Sequence, residues 1–117
     1  MIDITERSEE GLVVIEPKGK IDTLTAKAFE AHLKRHIDEG TGPVVIDMSG
    51  VDYVSSFGLR SLLVAAKQLA PSGRKYILFA LQPPVHDVLR ISGFLKIIAV
   101  VGSAADAIAL AAPQAQA

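Results

Sequence analysis

The sequence predicts an α/β domain built on a mixed, mostly parallel β-sheet of about five strands with about four helices. Short aliphatic, β-branched runs bounded by Gly, Pro, Ser or Asp alternate with longer segments whose apolar residues recur at helical spacing. The first two runs are joined by only Glu9-Glu10-Gly11, a connection that permits an antiparallel hairpin and no crossover. Strands that alternate with helices imply right-handed crossovers between parallel neighbours, so the order reads β-β-α-β-α-β-α-β-α.

Residues Ile2 to Ser8 alternate apolar and polar, the pattern of a half-buried strand, and Leu12 to Pro17 form the second. Pro17 has no N–H to donate and suits a strand end or an edge. Asp22-Thr23 then offers a helix cap. Leu24, Ala28, Phe29, Leu33 and Ile37 lie on one stripe of a helix that Gly40 and Gly42-Pro43 end. Val44 to Met48 is a buried strand, and Ser49 to Val54 reads as a loop. Helical spacing resumes at Phe57 through Leu59, Leu62, Leu63, Ala66 and Leu69, with Ser55 or Ser56 as the N-cap. Pro71-Ser72-Gly73 closes that helix and Tyr76 to Leu81 is the next strand. Pro83-Pro84 opens a helix over Val85 to Ser92 that Gly93 stops. Ile97 to Val101 is the last strand, and Ser103 caps an Ala-rich helix to about Ala112. One domain over residues 1–112 results, with residues 113–117 expected as a disordered tail.

The composition narrows the function. A chain of 117 residues holds one core, and with no cysteine it can build neither a disulfide nor a thiolate metal site. Net charge is −1 with both signs interspersed, which lacks the basic stripe that nucleic-acid binding requires. No apolar run reaches the roughly 18 residues of a membrane span, and the polar start MIDITERSEE is unlike a signal peptide, so the expected address is cytoplasmic.

Catalytic patterns are missing as well. SSFGLR around Ser55 and Ser56 is not the G-x-S-x-G elbow of hydrolases, and no spacing ties His32, His36 or His86 to it. His32 and His36 share a helix face, yet with Lys34 and Arg35 beside them a solvated face is the expected role, and no metal or other cofactor is implied. Phosphate-binding glycine loops are absent.

The segment that stands out is the strand–loop–helix unit around Ser56. It follows a parallel strand, at the carboxyl end of the sheet where open α/β folds present binding surfaces, and Asp22-Thr23 occupies the equivalent place after the second strand. A phosphoryl group on a serine at a helix start adds about −1.5 to −2 charge units where the helix dipole tolerates them. A partner docked over the same loop would face a desolvated dianion, so the fold survives and the partner leaves.

Three strings carry a resemblance to a known family. VVIDMSGVDYVSSFGLRSLLVAAKQL resembles the central signature of STAS domains, GKIDTLTAKAFEAHL their loop and first helix, and VHDVLRISGFLKIIAVVGSAADAIALA their last helix–strand–helix. Together they span nearly the whole chain in order. The resemblance implies a bacterial anti-sigma-factor antagonist, a protein-binding module and not an enzyme. In such partner-switching systems the unphosphorylated antagonist binds an anti-sigma factor that is also a serine kinase, the kinase phosphorylates the antagonist and releases it, and a serine phosphatase resets it. Carried over by position, Ser56 is the expected phosphoacceptor, with Ser55 second. Asp22, Thr23, Leu24, Ser55, Ser56, Phe57, Gly58, Leu59 and Arg60 form the expected partner surface on a monomer or weak homodimer. Two departures stand out: Ser55 replaces the family's usual Asp, and Phe57 stands where some members carry a second hydroxyl residue. Both would suit the alternative implied by the resemblance, a STAS-type small subunit of an ABC lipid-transport complex with no phosphorylation cycle.

Overall fold

The computed structural model describes residues 2–112, so the expected disordered tail lies outside the described residues. Strands β1 (Asp3–Glu9) and β2 (Leu12–Ile21) form the antiparallel hairpin, with Asp3 opposite Lys18 and Glu9 opposite Leu12. Helix α1 (Ala26–Glu39), strand β3 (Val44–Asp47), strand β4 (Val51–Val54) and helix α2 (Ser56–Leu69) follow. After a 3₁₀ turn at Ala70–Ser72 come β5 (Tyr76–Phe79), α3 (Pro83–Ile91), a second 3₁₀ turn at Phe94–Lys96, β6 (Ala99–Val101) and α4 (Ala104–Ala111).

The sheet runs β1-β2-β3-β5-β6, with β4 paired to β2 outside this row. Every pairing after the hairpin is parallel, and β1 takes an edge, as the alternation of elements requires. Val44 to Asp47 and Tyr76 to Phe79 are buried throughout, the expected state of central parallel strands covered on both faces.

Two features depart from the sequence-based reading. Val51–Val54 is a sixth strand instead of a loop, and β2 runs past Pro17 to Ile21. They share one cause. The first half of β2 pairs with β3 at Val14 and Ile15, and its second half pairs with β4 from Gly19 to Ile21. Pro17 sits at the seam between the two partners. Its carbonyl points toward Gly50, where a Cβ would come within 3.1 Å of it, so its missing N–H faces the gap between β3 and β4. A proline is therefore tolerated well inside a strand. Gly19 N–H restarts the pairing on the Gly50 carbonyl at 2.9 Å.

Apolar residues settle on both faces. The larger cluster joins Ile15, Ile21, Ile46 and Leu78 of the sheet to Phe29, Leu33 and Ile37 of α1, Leu62 and Leu69 of α2, and Val85 and Leu89 of α3. The smaller places Val14, Val45, Ile77 and Phe79 under Ala107 and Ala111 of α4. Beside that smaller cluster Arg7 reaches Glu9, Glu16 and Asp47, with its guanidinium 6.0 Å from the Phe79 ring centre. No helix among the described residues is long and apolar enough to cross a membrane.

Candidate functional site

Two loops meet at the carboxyl end of β2 and β4. The first, between β2 and α1, is locked by two side chains. The Asp22 carboxylate accepts from the backbone N–H of Leu24 (3.0 Å) and Thr25 (3.1 Å), and Asp22 N–H donates to Thr25 Oγ1 (2.9 Å). The buried Thr25 hydroxyl donates in turn to the Lys20 carbonyl at 2.6 Å. Desolvation alone would raise the Asp22 pKa; the backbone bonds from Leu24 and Thr25 outweigh it and hold this carboxyl below its usual range. Asp22 thus caps a turn ahead of α1, the helix itself starting at Ala26 after Thr25. Neither Asp22 nor Thr23 is its N-cap, which corrects the expectation for that pair. Leu24 leaves the predicted core stripe: it is 89% exposed, and Ala26 takes the buried place.

The second loop joins β4 to α2. Ser55 N–H donates to the Ile21 carbonyl at 2.9 Å, tying this loop to the end of β2. Ser55 has extended backbone angles and its Oγ accepts from Gly58 N–H at 3.3 Å, so Ser55 is the N-cap. Ser56 is the first residue inside the helix, with an exposed hydroxyl that has no hydrogen-bond partner among the described residues. Helix α2 approaches β2 so closely here that a Cβ on Gly58 would stand 2.6 Å from the Ile21 carbonyl oxygen and 2.8 Å from Val54 Cγ1. Only glycine fits.

The expected surface therefore divides. Asp22, Thr23, Leu24, Ser55, Ser56, Phe57 and Arg60 come together at one end of the sheet, half-buried or exposed. Gly58 is buried as a packing contact, and Leu59, half-buried, packs partly against the core. Phe57 is 52% exposed, an aromatic ring at the lip of a groove between α1 and α2. Sequence reasoning missed Tyr53, 49% exposed on β4, with Lys20 Nζ 5.8 Å from its ring centre and 3.3 Å from Asp52. Strand alternation alone would have put Tyr53 on the buried face of Val51; instead Val51 and Val54 are buried while Asp52 and Tyr53 are exposed, beside a register irregularity at Gly19 and Lys20.

His32 and His36 do not lie on a solvated face. His32 Nε2 is 2.6 Å from Glu6 Oε2, which ties α1 to the edge strand β1, and His36 Nδ1 lies nearby at 3.6 Å from the same oxygen. Burial, more than it is offset by Glu6, lowers the His36 pKa.

Residues 3–107 match the family model of the STAS domain. The chain belongs to this family. A Bordetella bronchiseptica protein named as a candidate anti-sigma factor antagonist, BtrV, is 38% identical over 94 residues, covering 80% of this chain and 81% of that protein. The crystal structure of an anti-sigma factor antagonist from Mycobacterium paratuberculosis superposes with a TM-score of 0.86 at 23% identity, covering 95% of this chain and 94% of that one. The anti-sigma factor antagonist SpoIIAA in its unphosphorylated form gives a TM-score of 0.75 at 19% identity, covering 91% and 93%. These last two show that the STAS fold, with its hairpin, parallel strands and flanking helices, is the one this sequence adopts.

Proposed function

We propose that this STAS protein is an anti-sigma-factor antagonist, a non-catalytic binding module of a cytoplasmic partner-switching pathway controlled at Ser56. The observation that carries it is the free Ser56 hydroxyl at the start of α2, next in sequence to the exposed Phe57, with Leu24 exposed before α1 and Tyr53 exposed on β4. A partner gains apolar area there, as interface cores do, and must cover the hydroxyl to gain it. The 38% identical relative with nearly matching length supports the same reading. A kinase partner would transfer the γ-phosphoryl of ATP to Ser56 Oγ, the hydroxyl proton leaving with a base and ADP departing. The dianion would sit beside the free N–H groups of the first helical turn, which stabilise it locally, so modification expels the partner and leaves the fold intact. A serine phosphatase would restore the hydroxyl.

The test is a pull-down from the native lysate with ADP present, read by mass spectrometry. Recovery of an ATPase-fold anti-sigma factor, phosphorylation mapped to Ser56, and weakened binding by Ser56→Asp with unchanged circular dichroism are the expected results. A phosphate mapped to any other residue refutes the Ser56 assignment. Recovery of a permease with an ABC ATPase refutes the antagonist reading and makes the chain a transport-complex subunit.

A further inference from the structure

The groove between α1 and α2 carries cationic charge that the chain does not answer. Thr23, Ala26, Lys27 and Glu30 line one side, Phe57 and Arg60 the other. Elsewhere Arg7 pairs with Glu9, Glu16 and Asp47, Lys20 with Asp52, Lys34 with Asp38, and Arg90 with Asp87, while Lys18, Arg35, Lys67 and Lys96 also lack an ion pair among the described residues but do not line this groove. Arg74 and Lys75 donate to the backbone carbonyls of Ile37 and Leu110. Lys27 and Arg60 have no ion-pair partner among the described residues. Two free cations thus face one carboxylate, Glu30, in a groove whose lip is an exposed aromatic ring, on a chain of net charge −1.

We propose that this groove receives an acidic segment of the anti-sigma partner that also carries an apolar residue. That residue packs on Phe57, and carboxylates pair with Lys27 and Arg60. The inference rests on the antagonist reading and names the chemistry of its partner. Aromatic anchors and Arg are the side chains that dominate interface energies, and complementary charge fixes the register around them. An anionic lipid surface would draw on the same charges, but it calls for a cluster of roughly 4–8 Lys and Arg, and Glu30 opposes it. Ser56 stands four residues before Arg60, one turn along the same face of α2. A phosphoryl group there competes for Arg60 and so disarms the groove as well as blocking the loop.

The experiment measures the affinity of the purified anti-sigma factor for the wild type, Lys27→Glu/Arg60→Glu, Phe57→Ala, and a control reversal outside the groove, Lys96→Glu. Binding about tenfold weaker or more is expected for the first two variants, with a smaller salt dependence for the double reversal and an affinity within about twofold of wild type for Lys96→Glu. Thermal unfolding verifies that each variant is folded. The proposal is overturned if the folded double reversal binds like the wild type, or if it loses affinity only for phosphatidylglycerol vesicles. If the wild type binds no anti-sigma factor, the antagonist reading itself fails and takes the inference with it.

Discussion

Replacing Gly58 by alanine should destabilise this domain at its binding end. The added Cβ would meet the Ile21 carbonyl oxygen at 2.6 Å, Val54 Cγ1 at 2.8 Å and Ile21 Cγ2 at 2.9 Å. A carbon–oxygen contact relaxes only near the sum of the van der Waals radii, so the helix start must move by about half an ångström. The obstacle is backbone, and it is held: the Ile21 carbonyl accepts from Ser55 N–H at 2.9 Å. Val54 is 5% exposed and has nowhere to turn. Overpacking of this kind costs about 3 kcal/mol at the upper end of its usual range. Alanine's better helix propensity returns at most about 1 kcal/mol, and less in a first turn. A net loss near 2 kcal/mol corresponds to a fall in Tm of about 8 °C for a chain of this size. Thermal unfolding followed by circular dichroism, with urea unfolding at 25 °C, reads both quantities. A Tm within about 2 °C of wild type would show that the β2–α2 contact yields, and the steric account of Gly58 would be wrong.

The neighbouring positions give sharper contrasts. Ser55→Ala removes the side-chain acceptor of Gly58 N–H and should cost about 1 kcal/mol in urea unfolding, whereas Ser56→Ala should lie within about 0.5 kcal/mol of wild type. Equal losses at the two positions would refute the assignment of the cap to Ser55. Leu24→Ser should leave Tm unchanged, because the side chain is 89% exposed, yet weaken binding of the anti-sigma factor in a titration; a large fall in Tm would return Leu24 to the core. Asp47 is desolvated, which alone would raise its pKa, but hydrogen bonds from Ser49 and Arg7 hold the pKa below the ordinary value. A depressed carboxylate stabilises the fold above its unfolded pKa of about 3.9, and that contribution is lost as pH falls through the folded value. Urea midpoints between pH 6 and 2 should therefore drop less steeply for Asp47→Asn than for the wild type, and parallel curves would rule out the linkage.

The class of fold was legible in the sequence because its evidence is periodic. Val44 to Asp47 and Tyr76 to Phe79 are continuous β-branched or aromatic-aliphatic runs, and both became fully buried central strands. What could not be read was long-range. Pro17 looks like a strand terminator to any local rule, and only the change of partner from β3 to β4 along β2 makes it harmless. Val51-Asp52-Tyr53-Val54 is too short to choose a period, with Val51 and Tyr53 at strand spacing and Val51 and Val54 at helical spacing; its pairing with Lys20 and Ile21 makes it a strand. The same limit hid Glu6, which lies far from His32 and His36 in sequence and meets them only when the hairpin folds back on α1. Leu24 failed for a local reason: a stripe drawn from Leu24 to Ile37 assumes the helix starts at residue 24, whereas Asp22 and Thr25 build a turn there first.

The adjacent serines show how far a motif reaches toward mechanism. By sequence either could cap the helix, and the position in the family motif is what points to Ser56. The structure separates the two roles. Ser55 Oγ accepts a backbone N–H, so its oxygen is already committed to holding the helix start. Ser56 lies one residue further, still within the first turn where the dipole favours an anion, and its hydroxyl holds nothing together among the described residues. A switch that must change a binding surface without unfolding it needs a free hydroxyl near a stable cap. Ser56 is the residue of the pair that meets both conditions.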